Sequence, residues 1–190
     1  MSAARSTNGF FKSIFADLSE ARDFIWSAAI LFGSGALAGY FFPAVSRQLL
    51  FFFAEIAHQL LQYGAAELAL QIFFRNFLAS GIAVFAGALF GLLPTAAAVV
   101  NGLIFGAITS LAPGEMWKVA PHGVFELPAM FVSWGMGLWL SLWVVGPGRL
   151  SRLQDRLKRC FRIFIGLIAP VLLLAAIIEA ATASYLFGNG

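Results

Sequence analysis

Long apolar runs separated by short polar stretches divide the chain into five segments that could each cross a membrane. They are residues 22–42, 76–93, 96–112, 122–146 and 162–187. Each segment approaches the roughly 20 apolar residues that a hydrocarbon core about 30 Å thick requires of a helix. The pattern therefore predicts an all-α membrane protein with about five transmembrane helices.

The stretch 47–73 is also apolar, but its polar residues follow a helical spacing. Four of them fall at i, i+3, i+4 and i+7 on one helical face: Glu55, His58, Gln59 and Gln62. A helix with one polar face fits the membrane interface, or a position packed across the bundle, better than it fits a sixth span. We therefore predict an interfacial or packed amphipathic helix near 47–73.

A one-sided apolar pattern also marks residues 9–23. Its apolar residues are Phe10, Phe11, Ile14, Phe15 and Leu18. Their spacing predicts an amphipathic helix on the inner surface of the membrane. The whole chain, residues 1–190, then forms a single membrane domain, with residues 1–21 as a cytoplasmic amphipathic segment and 22–187 as the helical bundle.

Composition supports a membrane location and excludes some chemistry. Of the 190 residues, 61% are hydrophobic and 11% are charged, whereas about a quarter of the residues of a soluble domain are charged. The single cysteine, Cys160, excludes an internal disulfide and a cysteine-based metal cluster. We predict that the chain carries no cofactor.

The cations are concentrated in one short loop, and this predicts the topology. Six of the twelve lie there: Arg149, Arg152, Arg156, Lys158, Arg159 and Arg162. The positive-inside rule makes this loop cytoplasmic. Its cations would face anionic lipid headgroups or an acidic partner, or would only fix the topology.

The N-terminal tail carries further cations, at Arg5, Lys12 and Arg22. It is therefore also predicted to be cytoplasmic, although three acids, Asp17, Glu20 and Asp23, weaken this bias. Both segments can lie on one side only if an even number of spans separates them, and four spans satisfy this. The C-terminus is then outside, and residues 44–73 and 113–121 face outward.

Small residues recur at spacings of four in three regions of the chain. The pairs are Gly35 and Gly39, Gly87 and Gly91, and Gly102 and Gly106. Because lipid supplies no hydrophobic drive for helix association, such residues mark faces where two helix backbones approach closely. We predict that these faces are internal, while a homodimer remains open.

Six polar residues lie inside the predicted spans or at their ends: Arg75, Asn76, Asn101, His122, Glu126 and Glu179. His122 and Glu126 are four residues apart and share one helical face. A carboxylate in hydrocarbon needs a cation or a donor, or it stays protonated. We predict Arg75 and His122 as partners of Glu126 and Glu179.

Two interpretations of this polar cluster remain open at this stage. It is either a buried clamp that ties the second, fourth and fifth spans together, or an outward pocket that binds a proton, an ion or a polar headgroup. Pro128 favours the pocket slightly, because a proline frees a backbone carbonyl one turn earlier, near Val124.

Several enzyme classes lack their motifs in this chain. Two histidines, His58 and His122, are too few for a convincing zinc site, and no His-Glu-x-x-His motif occurs. Gly33-Ser34-Gly35 lacks the flanks of a nucleophilic serine, and no glycine-rich phosphate loop with its lysine is present. We predict a non-enzymatic protein with no catalytic residue, no metal and no nucleic-acid partner.

Four stretches between residues 73 and 187 carry a recognisable set of motifs. They are FFRNFLASGIAVFAGALFGLLP at 73–94, the Asn101-Gly102 pair, APHGVFELPAMFVSWGMGLWL at 120–140, and the LLLAAIIEAATA that contains Glu179. Together they resemble the stage II sporulation protein M family of prokaryotic integral membrane proteins. The Pro-His-Gly with its following Glu is the most specific part.

The resemblance implies a multi-pass protein of a prokaryotic cell membrane. The sporulation member of the family works in engulfment, where it is held to anchor a cell-wall-degrading complex. The resemblance also implies a set of family-typical positions: Asn76, Asn101, His122, Glu126 and Glu179.

These observations lead to one predicted function and one alternative. The first is a membrane scaffold or regulatory protein that anchors protein partners, with residues 149–162 as its cytoplasmic contact. The alternative is a small carrier or channel for an ion, proton or amphiphile, with a polar pocket around His122 and Glu126. In either case membrane lipids surround the protein, and a homo-oligomer is compatible with the sequence.

Overall fold

The computed structural model describes residues 2–44, 47, 51 and 63–187 of the chain. Its helices are α1 (Ser2–Phe41), α2 (Ala65–Phe85), α3 (Leu92–Leu111), α4 (Met116–Ser141), α5 (Arg149–Ile163) and α6 (Ala169–Phe187). Short 3-10 turns follow α2, α3 and α4, and one turn of π-helix, Phe164–Ile168, joins α5 to α6. The described residues contain no strand, so the all-α prediction is confirmed.

Within the described residues, five helical segments are long and apolar enough to cross a membrane, which agrees with the predicted number. They are Gly9–Phe41, Ala65–Ala88, Leu92–Leu111, Glu126–Val144 and Arg149–Ala183. The first and the last run for 33 and 35 residues, longer than the roughly 20 residues that a span requires. Both therefore have length to spare for contacts at the membrane surface.

The second span begins earlier than the sequence predicted. The prediction placed its start at residue 76, but α2 begins at Ala65 and takes up the end of the predicted amphipathic stretch. Leu68 and Ile72 are buried there against Ala176 and Ala180 of α6, and this apolar contact extends the helix. The polar stripe of Glu55, His58, Gln59 and Gln62 lies outside the described residues.

The N-terminal amphipathic segment is the first half of α1 and not a separate surface helix. Ile14, Asp17 and Ala21 are buried, whereas Phe11 and Phe15 face outward. The predicted apolar stripe is thus divided between two faces. The helix runs without interruption from Ser2 to Phe41, so the boundary predicted near residue 22 falls within α1.

Helices α1 and α3 meet backbone to backbone through two glycines on each. A Cβ added at Gly39 would overlap the carbonyl group of Leu103, and one added at Gly106 would lie 2.8 Å from the carbonyl carbon of Ala36. Gly35 and Gly102 lie in the same contact and are equally crowded by backbone atoms. In this chain the α1–α3 contact is internal.

The hairpin between α2 and α3 is fixed by a tight turn and by the end of α4. Phe90 and Gly91 have φ values of 61° and 72°, the left-handed region that glycine adopts most readily. The indole Nε1 of Trp143 donates a hydrogen bond of 2.8 Å to the carbonyl of Ala88. Gly87 lies against the backbone of Gly137, so the hairpin and α4 are in close contact.

The π-helical turn between α5 and α6 has a local cause. Pro170 has no N–H to donate to the carbonyl of Gly166, and its ring would clash with that carbonyl in a regular α-helix. A π-turn one residue before α6 relieves this clash while the helix continues. Gly166 also leaves room for the side chains of Phe10 and Ile14 of α1.

Candidate functional site

A buried hydrogen bond joins Asn76 of α2 to Glu126 of α4. The amide Nδ2 of Asn76 donates to Oε1 of Glu126 over 2.6 Å. Glu126 is 1% exposed, and Asn76 is half-buried. A hydrogen bond to a carboxyl group gains strength where water is excluded, so this contact is suited to fix α2 against α4.

Two other polar side chains inside the spans donate hydrogen bonds within their own helices. Ser133 Oγ donates a 2.8 Å hydrogen bond to the carbonyl of Ala129. Asn101 Nδ2 donates a 2.8 Å bond to the carbonyl of Ala97, so its recorded bond is local to α3. Asn101 thus differs from Asn76, although the sequence grouped the two.

The remaining predicted site residues are Arg75, Glu179 and His122. Arg75 is exposed on α2, and the ion pairs found among the described residues do not include it. Glu179 is half-buried on α6. His122 is in α4 one turn before Glu126, and its side chain lies outside the described part of the chain. Among the predicted site residues, the hydrogen bond between Asn76 and Glu126 is the contact that the structure describes.

A second polar cluster, which the sequence analysis missed, surrounds Asp17 of α1. Asp17 is only 5% exposed and accepts hydrogen bonds from Arg159 Nε at 2.8 Å and from Arg162 Nε at 3.1 Å. Glu20, one turn further along α1, also pairs with Arg159. We call these four residues the Asp17 network. It joins the first half of α1 to α5.

The sequence contained a signal for this network. Asp17 and Glu20 are three residues apart on α1, and Arg159 and Arg162 are three residues apart on α5. This spacing places each pair on one helical face. Their separation along the chain, 142 residues between Asp17 and Arg159, left nothing in the sequence to match one pair with the other.

Trp139 of α4 lies beneath two cations of α5, of which Arg159 belongs to the Asp17 network. The guanidinium of Arg156 lies 4.0 Å from the centre of its ring, and that of Arg159 lies 4.7 Å away. Arg156 also donates to the main-chain carbonyl of Trp139. Such cation–π contacts are strongest where the ring is desolvated, and Trp139 is buried.

Three of the six basic residues in 149–162 therefore contact other residues of the same protein. Arg156, Arg159 and Arg162 contact Trp139 or the acids of α1, so the acidic partner of two of these cations is this chain itself. Arg152 donates a 3.2 Å bond to the carbonyl of Pro147. The sequence had treated all six cations as one surface.

The Asp17 network also bears on topology. It places the N-terminal half of α1 and the basic helix at the same end of the bundle, with the outgoing part of α1 and helices α2, α3 and α4 between them. This is the arrangement that an even number of intervening spans requires.

The polar residues of these two clusters form hydrogen bonds, ion pairs and cation–π contacts. Among the described residues, no group of three or more His, Cys, Asp and Glu side chains could hold a metal ion. Cys160 is fully buried, with its Sγ 3.9 Å from the carbonyl of Met136, so it lacks the exposure that a reactive thiol needs.

Comparison with known proteins identifies the family of the chain. No curated protein and no solved structure matches it. The family described as Stage II sporulation protein M matches residues 28–184, which include the α1–α3 contact, the Asn76–Glu126 pair and the two arginines of the Asp17 network. The match covers far more than half of the sequence, and the protein therefore belongs to the stage II sporulation protein M family.

Proposed function

We propose that this protein is a non-enzymatic membrane scaffold that anchors partner proteins at a prokaryotic cell membrane. The observation that carries this proposal is the burial of Glu126, which is 1% exposed and bonded to Asn76. A carboxyl group held by a neighbouring helix and closed to water acts as a clamp. A rigid bundle suits an anchor, whose task is to hold partners in place.

Two further contacts between helices support the same proposal. The glycine contact between α1 and α3 leaves no space for the two backbones to slide without separating. The Asp17 network fixes the first half of α1 to α5. With the basic helix in the cytoplasm, as the positive-inside rule favours, the N-terminus is inside and the C-terminus outside.

A second candidate function is a carrier or channel for a proton, an ion or an amphiphile. The observation that favours it is a buried ionisable residue, Glu126, at the start of the candidate span Glu126–Val144, because ionisable residues in spans often lie on transport pathways. Pro128, two residues later, deprives a carbonyl of its usual donor. This function requires that Glu126 exchange its proton with water during a transport cycle.

Substitutions at Asn76 and Glu126 are expected to reveal a clamp. Glu126→Leu removes the acceptor and leaves the Asn76 amide unpaired in apolar surroundings, so we expect a loss of about 1–3 kcal/mol in the free energy of unfolding. Glu126→Gln keeps a carbonyl acceptor and is expected to cost less than about 1 kcal/mol. Unfolding in mild detergent, followed by tryptophan fluorescence, measures both.

A double-mutant cycle makes this test specific to the pair. The double variant Asn76→Leu with Glu126→Leu is expected to be more stable than the sum of the single losses implies, because neither member of this hydrogen bond remains without the other. Leu78→Ala is a suitable control, since Leu78 lies on α2 near Asn76 but is exposed. Additive losses at Asn76 and Glu126 would contradict the clamp.

The two candidate functions are separated by assays on the same variants. If the protein is a scaffold, we expect the wild type to migrate as a complex with other proteins after gentle extraction from its native membrane. Glu126→Gln should retain this complex. The purified protein in liposomes should give no flux of protons or ions. The carrier predicts flux of protons or ions that Glu126→Gln abolishes. Wild type that migrates alone, or flux that depends on Glu126, would overturn the scaffold.

A further inference from the structure

We propose that the outward face of α2 binds a transmembrane helix of another protein, whose Asp or Glu side chain pairs with Arg75. Such binding rests on the scaffold function and gives it one class of partner, a membrane protein with a carboxylate inside a span. The position of Arg75 along α2, the face on which it lies and the placement of nearby acids lead to this partner.

Arg75 lies near the middle of a candidate span. It is the eleventh residue of the segment Ala65–Ala88. Since an α-helix rises about 1.5 Å per residue, Arg75 is about 15 Å from one end of this segment and about 20 Å from the other. A side chain at this position is therefore far from both surfaces of the membrane.

Contacts between α2 and the last span confirm how deep Arg75 lies. One turn before Arg75, Ile72 is buried against Ala176 of α6. Two residues after it, the ring of Phe77 lies 4.9 Å from the ring of Phe164 in the π-turn. The chain from Phe164 to Ala176 contains no charged residue. Arg75 thus lies at the level of a stretch that is suited to the interior of the hydrocarbon layer.

Arg75 is exposed on the face of α2 that points away from the bundle. Leu78 and Ile82 follow it by three and seven residues, so they share this face, and they are 60% and 59% exposed. Ala79, one turn after Arg75, is also exposed, and its small side chain leaves room for a close helix. The face therefore offers one cation on an apolar surface, which is complementary to an apolar helix with one carboxylate.

A guanidinium group at this depth needs an anion, because a charge inside hydrocarbon is costly and is usually paired. Arg75 forms no ion pair and no cation–π contact with a described residue. Lipid phosphates lie about 15 Å from the middle of a hydrocarbon layer about 30 Å thick, beyond the reach of an arginine side chain. The anion must therefore enter the layer on a helix of its own.

Two acids near Arg75 do not supply this anion. Glu126 is buried and bonded to Asn76, and Glu67 lies eight residues before Arg75, about 12 Å away along α2. A second copy bound symmetrically through the same face would place Arg75 against its own equivalent, and like charges repel. We therefore assign the face to another protein, whose carboxylate can accept two parallel hydrogen bonds from the guanidinium.

The test measures how two synthetic transmembrane peptides bind the full-length protein in phosphatidylcholine vesicles. Both peptides are helices of about 20 leucine and alanine residues, and they differ only in a central Glu or Gln. Each carries a dansyl group, so energy transfer from the tryptophans of the protein reports binding. We expect the Glu peptide to bind at least about tenfold more tightly, because the Gln peptide lacks the charge-assisted hydrogen bonds.

Substitutions at Arg75 make this test specific to the cation. Arg75→Gln should abolish the preference for the Glu peptide, and Arg75→Glu should transfer it to a third peptide with a central Arg. Arg149→Gln is the matched control, since it removes the same charge from an exposed cation of α5 and should keep the wild-type preference. Arg75→Gln and Arg149→Gln should unfold at the wild-type temperature without peptide, because both side chains are exposed.

Four results would each overturn the proposal. They are equal binding of the Glu and Gln peptides to the wild type, an unchanged preference in Arg75→Gln, an equal loss in Arg149→Gln, and a preference that appears only in Glu55→Gln. The last result would show that Arg75 is already paired within the chain. Glu55 lies outside the described residues, so this variant tests it directly.

The complex extracted from native membranes distinguishes this site from the scaffold function. If the wild type migrates as a complex and Arg75→Gln migrates alone, the partner is held through Arg75. If both migrate as the same complex, the scaffold function stands, but the partner binds elsewhere and the proposed site is wrong. A wild type that migrates alone contradicts the scaffold function, whereas the peptides still test the site at Arg75.

Discussion

Gly106→Ala is expected to destabilise this protein strongly, although it adds only one methyl group. The new Cβ would overlap the carbonyl oxygen of Ala36 and lie 2.8 Å from both the Ala36 carbonyl carbon and the Tyr40 amide nitrogen. Backbone atoms of a packed helix cannot rotate away as a side chain can, so α1 and α3 must separate along their length. We expect a loss of about 3 kcal/mol or more in the free energy of unfolding, at the upper end of overpacking costs.

The measurement is the unfolding midpoint in mild detergent, with Gly33→Ala as the control. Gly33 is also in a candidate span, on α1, but no neighbouring atom lies within 4 Å of an added Cβ. Alanine is a better helix former than glycine, so the control should be neutral or more stable by up to about 1 kcal/mol. Equal effects of the two substitutions would show that α1 and α3 are not in backbone contact.

Asp17→Asn is expected to destabilise the protein by about 3 kcal/mol. The substitution removes the charge that lies between Arg159 and Arg162 at a position that is 5% exposed. Breaking a buried ion pair by neutralising one partner costs about 3–5 kcal/mol. We expect the lower end, because the side chains of Arg159 and Arg162 are 21% and 33% exposed and keep some contact with water.

Asp23→Asn is the matched control for Asp17→Asn. Asp23 pairs with Arg22 over 3.3 Å on the same helix, but these side chains are 81% and 71% exposed. An exposed pair contributes little, so we expect a change below about 0.5 kcal/mol. Adding Arg162→Gln to Asp17→Asn should cost less than the sum of the two single changes, because the two groups share one contact. Similar effects of Asp17→Asn and Asp23→Asn would contradict the proposed importance of the network.

The spans could be predicted from the sequence because each depends on local apolar content. The errors arose where neighbouring helices decide the outcome. The early start of α2 depends on Leu68 and Ile72 finding Ala176 and Ala180, far away in the chain. The unbroken α1 likewise depends on α5, which gives Asp17 its partners inside the protein. In the sequence, Asp17 is a polar residue among apolar ones, and this does not show which other helix supplies its partners.

The sequence predicted which residues contribute to the candidate site but not which of them are hydrogen-bonded to each other. Because a polar group inside a span is costly to bury, the sequence indicated that Asn76 and Glu126 need partners. It predicted Arg75 and His122 as partners of Glu126 and did not identify Asn76 as the donor. Arg75 precedes Asn76 by one position, and this rotation of about 100° around the helix leaves Arg75 exposed while Asn76 turns inward. Pairing across helices depends on such rotations, which only packing determines.

The length of chain between Asp17 and its partners has a consequence for synthesis. Asp17 and Arg162 are 145 residues apart, so a ribosome that adds about 5–20 residues per second needs about 7–30 s to produce the second after the first. The α1–α3 contact can close during this interval, since Gly106 is made long before Arg159. A nascent chain that stops before α5 therefore presents Asp17 without its two arginines and Trp139 without the guanidinium groups that lie over its ring.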